Sequence, residues 1–269
     1  MAASDPGQGG KAFKVARLSS HPEVIGAPAS LSSASPAWLL PACARPARVS
    51  LSSSLCSLPL IAAALTLIPV FLQAPWVRQS PLTASLFTAP LLAMALLLER
   101  RPEGQGKACG ALLVGFCGSW LGGCLFWGWF RVHPLCHLPL EAFALPLALT
   151  GLRGRWHLAC CFYLASLAGT AATDGAIALT GLMPLWPQVL NASAAEAGPL
   201  LQQAAAALVH PLPLALVGLS AWLLLALSTT LRARGDGGRL AAAALTSTLA
   251  IDAVFLLAAA VAPRLSGLV

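Results

Sequence analysis

The stretch 131-RVHPLCHLPLEAFALPLALTGLRGR-155 decides how many times this chain crosses a bilayer. It is apolar from Leu135 to Gly151, but it is short, holds Pro139 and Pro146, and carries a carboxylate at Glu141. Its length and prolines would suit a segment that turns back within the membrane. The surrounding basic residues say otherwise. Six further apolar runs frame it, at 51–74, 81–98 and 108–130 before it and at 156–182, 211–231 and 240–262 after it. If all seven cross, one side receives Arg45, Arg48, Arg100, Arg101, Lys107, Arg153, Arg155, Arg232, Arg234 and Arg239, and the other receives Arg78, Arg131 and Arg264. Ten against three is the asymmetry of a multi-pass protein. If the stretch does not cross, the split becomes six against seven and the asymmetry vanishes. The reading is an all-α membrane bundle of about seven transmembrane helices. Its N-terminus lies on the basic side, cytoplasmic or stromal, and its C-terminus on the other.

Composition agrees. Hydrophobic residues are 58% of the 269 and charged residues 9%, where a soluble domain carries roughly 25% charge. The net charge of +7 sits in short loops, which orients a membrane protein and excludes a nucleic-acid patch. The eight cysteines form no CxxC pair and read as small hydrophobes. Residues 1–50 differ: they are rich in Ser, basic, and poor in acids, with no helical period. That composition suits a plastid-type transit segment, a disordered tail, or translated sequence ahead of the true start. Residues 51–269 read as one transmembrane domain. The stretch 200–209 clusters Leu200, Leu201, Leu208 and Val209 toward one face and suits an interfacial position.

Three acids sit in otherwise apolar runs: Glu141, Asp174 in LAGTAATDGAIAL, and Asp252 in TSTLAIDAVFLL. A carboxylate in hydrocarbon is costly, and marks either a functional site or a buried helix contact. Each has a hydrogen-bonding side chain four residues earlier, at His137, Thr170 and Thr248, hence on the same helix face. At ~1.5 Å per residue, Asp174 lies roughly 27 Å and Asp252 about 20 Å from the basic side. Glu141 follows from the far side, so all three acids share the far half and are expected to converge in one cluster. His133, His137 and Arg131 fall at the mouth of that half. His133, His137 and Glu141 recur every four residues and form a candidate metal set, or a proton relay. No particular cofactor follows from the residues. Gly118 and Gly122 in GSWLG form a small-xxx-small motif for close helix packing. Trp76, Trp120, Trp127, Trp129, Trp156 and Trp186 fall mostly near run ends, as in an aromatic belt.

The segments FLQAPWVR (71–78), GFCGSWLGGCLFWGWFRVHPLCHLPLEA (115–142), FYLASLAGTAATD (162–174) and STLAIDAVF (247–255) resemble a family of uncharacterised integral membrane proteins of cyanobacteria, classed as a domain of unknown function. The resemblance covers residue 55 onward. It implies a plasma or thylakoid membrane and carries no site residues with it. There is no GxGxxG after a strand, P-loop, HExxH or GxSxG, and no paired nucleophile and base, so no enzyme is expected. Two functions fit. One is a small transporter or permease using Glu141, Asp174, Asp252, Thr170 and Thr248 as an intramembrane polar site. The other is a scaffold or assembly factor within a photosynthetic membrane-protein complex. The partners expected are the lipid bilayer and such a complex, with no nucleic acid.

Overall fold

The computed structural model describes residues 57–261. The expectations for residues 1–50, and the basic residues Arg45, Arg48 and Arg264, lie outside them. Among the described residues the chain is helical and without strands. Six helices among the described residues are long and apolar enough to cross a membrane: α1 (Leu58–Gln79), α2 (Pro81–Glu99), α3 (Gln105–Phe130), α6 (His157–Leu179), α9 (Pro211–Arg232) and α10 (Gly235–Val261). Four shorter helices fall between them: α4 (His137–Glu141), α5 (Leu145–Gly151), α7 (Leu185–Asn191) and α8 (Ala194–Leu208).

Close contacts at glycines fix the directions of α1, α2, α6 and α10 relative to α3. A Cβ built on Gly110 of α3 would meet Ala95 and Glu99, so α2 runs against α3. Gly123 and Gly128 face Gln73 and Val77, so α1 runs with it. Gly115 and Gly118 face Ala159 and Tyr163, so α6 also runs with α3. Gly237 faces His157 and Thr248 faces Gly169, so α10 runs with α6. Between α3 and α6, which point the same way, the chain must return across the bundle. That return is the stretch read above from its flanking arginines. Arg100, Arg101, Lys107, Arg153, Arg155, Arg232, Arg234 and Arg239 fall at one end of the bundle, and Arg78 and Arg131 at the other.

The returning crossing is not one helix. Helix α4 ends at Glu141, a 3₁₀ turn covers Ala142–Ala144, and α5 follows. Pro139 and Pro146 donate no backbone hydrogen bond, which removes ladder contacts on both sides of the break. Freed backbone groups at this depth have no water and need a protein partner. Tyr163 of α6 supplies it. Its hydroxyl donates to the Glu141 carbonyl and accepts from the Ala144 N–H at 3.2 Å.

Proline acts similarly in α1. A π-helical turn over Pro69–Gln73 turns Gln73 inward, where it is 2% exposed. Its amide donates to the Trp120 carbonyl and to Cys124 Sγ. Helix α3 is the centre of the bundle, with Leu112, Phe116, Trp120, Cys124 and Phe126 all buried. The outer face of α9 shows Leu219, Trp222, Leu223 and Leu225, a surface suited to lipid rather than water. Gly235, at φ 75°, makes the tight reversal into α10 that a side chain would strain. Helix α8 is the stretch expected near the interface. A Ser193–Glu196 capping box opens it, and it buries Ala197 and Leu201.

Candidate functional site

His137 stands between two carboxylates. Its Nε2 lies 3.3 Å from Glu141 Oε1, one helical turn on, and its Nδ1 lies 3.0 Å from Asp174 Oδ1 on α6. The other Glu141 oxygen, Oε2, accepts from Thr170 Oγ1 at 2.8 Å. His137 is 9% exposed, and aromatic rings surround it. Phe126 stacks on the imidazole at 4.1 Å between centroids and 25° between planes. Trp127 and Trp186 each lie 6.1 Å away. Trp186 is pinned there by its indole N–H, which donates to the Arg131 carbonyl at 2.7 Å.

The local sequence explains how these groups meet. Gly122 of α3 lies against the Glu141 backbone, where a Cβ would come 2.9 Å from the Glu141 Cα. Gly118, one turn earlier, would bring a Cβ to 3.0 Å from the Tyr163 ring. The GSWLG glycines therefore let α4 and α6 approach α3 closely enough for the acids to pair. Both ring nitrogens of His137 can donate to carboxylates at once only when the imidazole carries two protons. The three groups thus share a small set of protons in a place shielded by aromatic rings.

Asp252 is held differently. Thr173 of α6 donates to its Oδ2 at 2.6 Å, and among the described residues Oδ1 has no hydrogen-bond partner. A cavity of about 120 Å³ opens beside it, lined mainly by residues of α6, α9 and α10. Thr173 and Asp174 are consecutive, so their side chains leave α6 about 100° apart. Asp174 thereby joins His137 on one side of α6 and Thr173 meets α10 on another. Of the three acids expected to converge, Glu141 and Asp174 share His137, and Asp252 has its own partner in Thr173, the residue before Asp174.

Two of the three pairings by four-residue spacing are not formed. Thr170 bonds Glu141 rather than Asp174. Thr248 bonds its own turn, at the Ala244 carbonyl, and packs on Gly169 rather than serving Asp252. An intramembrane threonine satisfies its hydroxyl at the i−4 carbonyl unless a neighbouring helix offers a better acceptor. His137 and Glu141 do pair. His133 does not share their face, because its φ of −116° and ψ of 79° are non-helical. The set His133, His137 and Glu141 therefore does not assemble, and among the described residues no group of three His, Cys, Asp or Glu is placed to hold a metal ion. Arg131 contributes its carbonyl to Trp186.

Sequence reasoning passed over Tyr163, Thr173, Phe126 and Gln73. Tyr163 had a signal, since it is the one tyrosine of the chain. Trp127 and Trp186, expected in a lipid-facing belt, instead stack on each other at 5.8 Å beside His137. Trp120 is buried and its indole N–H donates to the Ala84 carbonyl at 3.0 Å.

A family model described as "protein of unknown function (DUF3120)" matches residues 62–260. No curated protein and no solved structure matches the chain.

Proposed function

The chain belongs to the DUF3120 family, and we propose that it is a small, non-enzymatic permease that moves protons, alone or with a small solute, across a membrane. One observation carries this reading: His137 bridges Glu141 and Asp174 within a membrane bundle, and among the described residues no Arg or Lys pairs with either acid. Ionisable groups at this depth are costly to keep, and a histidine between two carboxylates is a chemistry that takes up and releases protons. The basic end of the bundle supports an N-terminus on the cytoplasmic or stromal side. Plasma or thylakoid membrane is the location this reading adopts, following the resemblance drawn above.

The test is proton movement in proteoliposomes. A pH difference is imposed and an internal pH dye is read for wild type, Glu141→Gln and Asp174→Asn, each checked for folding by gel filtration. Wild type should dissipate the gradient faster than protein-free vesicles, and both folded variants should lose most of that rate. Wild-type flux no greater than empty vesicles, or full flux in both variants, overturns the reading.

One observation favours the scaffold alternative. Tyr163 and Thr170 of α6 both bind the broken crossing at Glu141, so the polar groups also brace helix to helix. Folded variants with unchanged flux, together with isolation of the protein in a larger membrane complex, would favour that role.

A further inference from the structure

We propose that the cavity beside Asp252 binds a small amphipathic monocation, of the alkylammonium class, as the solute of the permease. This rests on the transport reading above and names the substrate class it left open.

The cavity is walled mainly by Ala172, Ala176, Ile177, Val217, Leu224 and Leu249, and reaches Leu182 and Leu208 at the far end of the bundle. Its few polar groups are Thr173, Thr180, Ser220 and Asp252. A space of about 120 Å³ has room for several waters or for one small organic molecule. A wall this apolar is poorly suited to water, because a buried water needs two to four polar partners. It is equally unsuited to a bare metal ion, which requires several oxygen ligands. An anion would face the Asp252 carboxylate.

What remains is a molecule with one positive end and a short hydrocarbon body. Its ammonium would meet Asp252 Oδ1, the carboxylate oxygen that Thr173 leaves free. The Ser220 hydroxyl lines the same space and would accept a second N–H. The alkyl part would lie against Ile177, Val217 and Leu224. Thr173 holds the carboxylate in place at 2.6 Å, which presets its direction before any ligand arrives. Thr173, which holds Asp252, is the chain neighbour of Asp174, which meets His137.

The experiment uses the full chain in lipid nanodiscs at pH 7 and three probes of equal length: n-butylammonium, butan-1-ol and butyrate. Binding is read by calorimetry and by ligand-dependent thermal shift. Butylammonium should bind wild type at least tenfold more tightly than butan-1-ol, and butyrate should not bind. Asp252→Asn should erase that tenfold preference while leaving butan-1-ol binding unchanged, and Ala176→Phe, which fills the cavity, should abolish both. Equal binding of butylammonium and butan-1-ol to wild type would make this a plain apolar slot and overturn the proposal. So would a preference for butylammonium that survives Asp252→Asn. The wild-type comparison needs no variant, so a misfolded substitution does not leave the question open. Proton flux without butylammonium binding would refute this inference alone, whereas binding without proton flux would refute the permease reading and keep the site.

Discussion

Asp174 and Asp252 lie at similar depth on neighbouring helices, yet their surroundings are opposite. Asp174 belongs to a filled site, with its partner His137 also bound to Glu141, Thr170 behind Glu141, and three aromatic rings around the imidazole. Asp252 has one hydroxyl partner and an adjacent cavity. An acid in a membrane is therefore not one kind of feature. The first is locked by polar partners and braces the broken crossing. The second keeps an oxygen free beside empty space, which is what a site for an exchangeable ligand requires.

The largest effect expected from breaking this contrast is at His137. His137→Ala leaves two buried carboxylates facing one another without their shared partner, a loss of about 3–5 kcal/mol. Thermal unfolding in detergent should show it as the most destabilised variant of those named here. A fall in stability no larger than that of Asp252→Asn would show that the filled site is not filled. Next comes Tyr163→Phe, which removes only a hydroxyl but strands the Ala144 N–H and the Glu141 carbonyl, for about 1–3 kcal/mol. Amide hydrogen exchange should quicken across 141–145 in this variant, and unchanged exchange there would mean the broken crossing is held some other way.

How far the sequence carried the fold depended on which physical signal was in play. Charge asymmetry around Arg131 and Arg153 pointed to a return of the chain between α3 and α6, because it reads loops and does not care whether the segment between them is a continuous helix. Helical spacing was less informative. It paired His137 with Glu141 because both lie on one short helix. It failed for Thr170 and Thr248, because partner choice there depends on which neighbouring helix presents an acceptor, and spacing along one helix is blind to that. Two aromatic positions failed for a related reason: Trp186 lies outside the long crossing helices, as a belt residue would, but Trp127 stacks on it beside His137.

Smaller effects sharpen the contrast from the other side. Asp252→Asn keeps shape and an acceptor for Thr173, so unfolding should shift by less than about 1 kcal/mol. A shift as large as that of His137→Ala would mean Asp252 is structural and the two sites are alike. Thr248→Val is expected to be the mildest, within about 0.5 kcal/mol, since its hydroxyl only caps its own turn. If flux or butylammonium binding fell with Thr248→Val as far as with Asp252→Asn, the spacing-based pairing would have to be restored.

The contrast itself is most directly tested by chemical access. On a background with the native cysteines replaced, Ser220→Cys places a thiol in the cavity with Asp252 intact, and Thr170→Cys places one behind Glu141. Each is treated, in sealed vesicles, with cationic and anionic methanethiosulfonate reagents of similar size. The Ser220→Cys thiol should react at least tenfold faster with the cationic reagent than with the anionic one, and the Thr170→Cys thiol should stay protected from both. Equal reaction of the two positions, or no preference for the cation at position 220, would contradict the contrast.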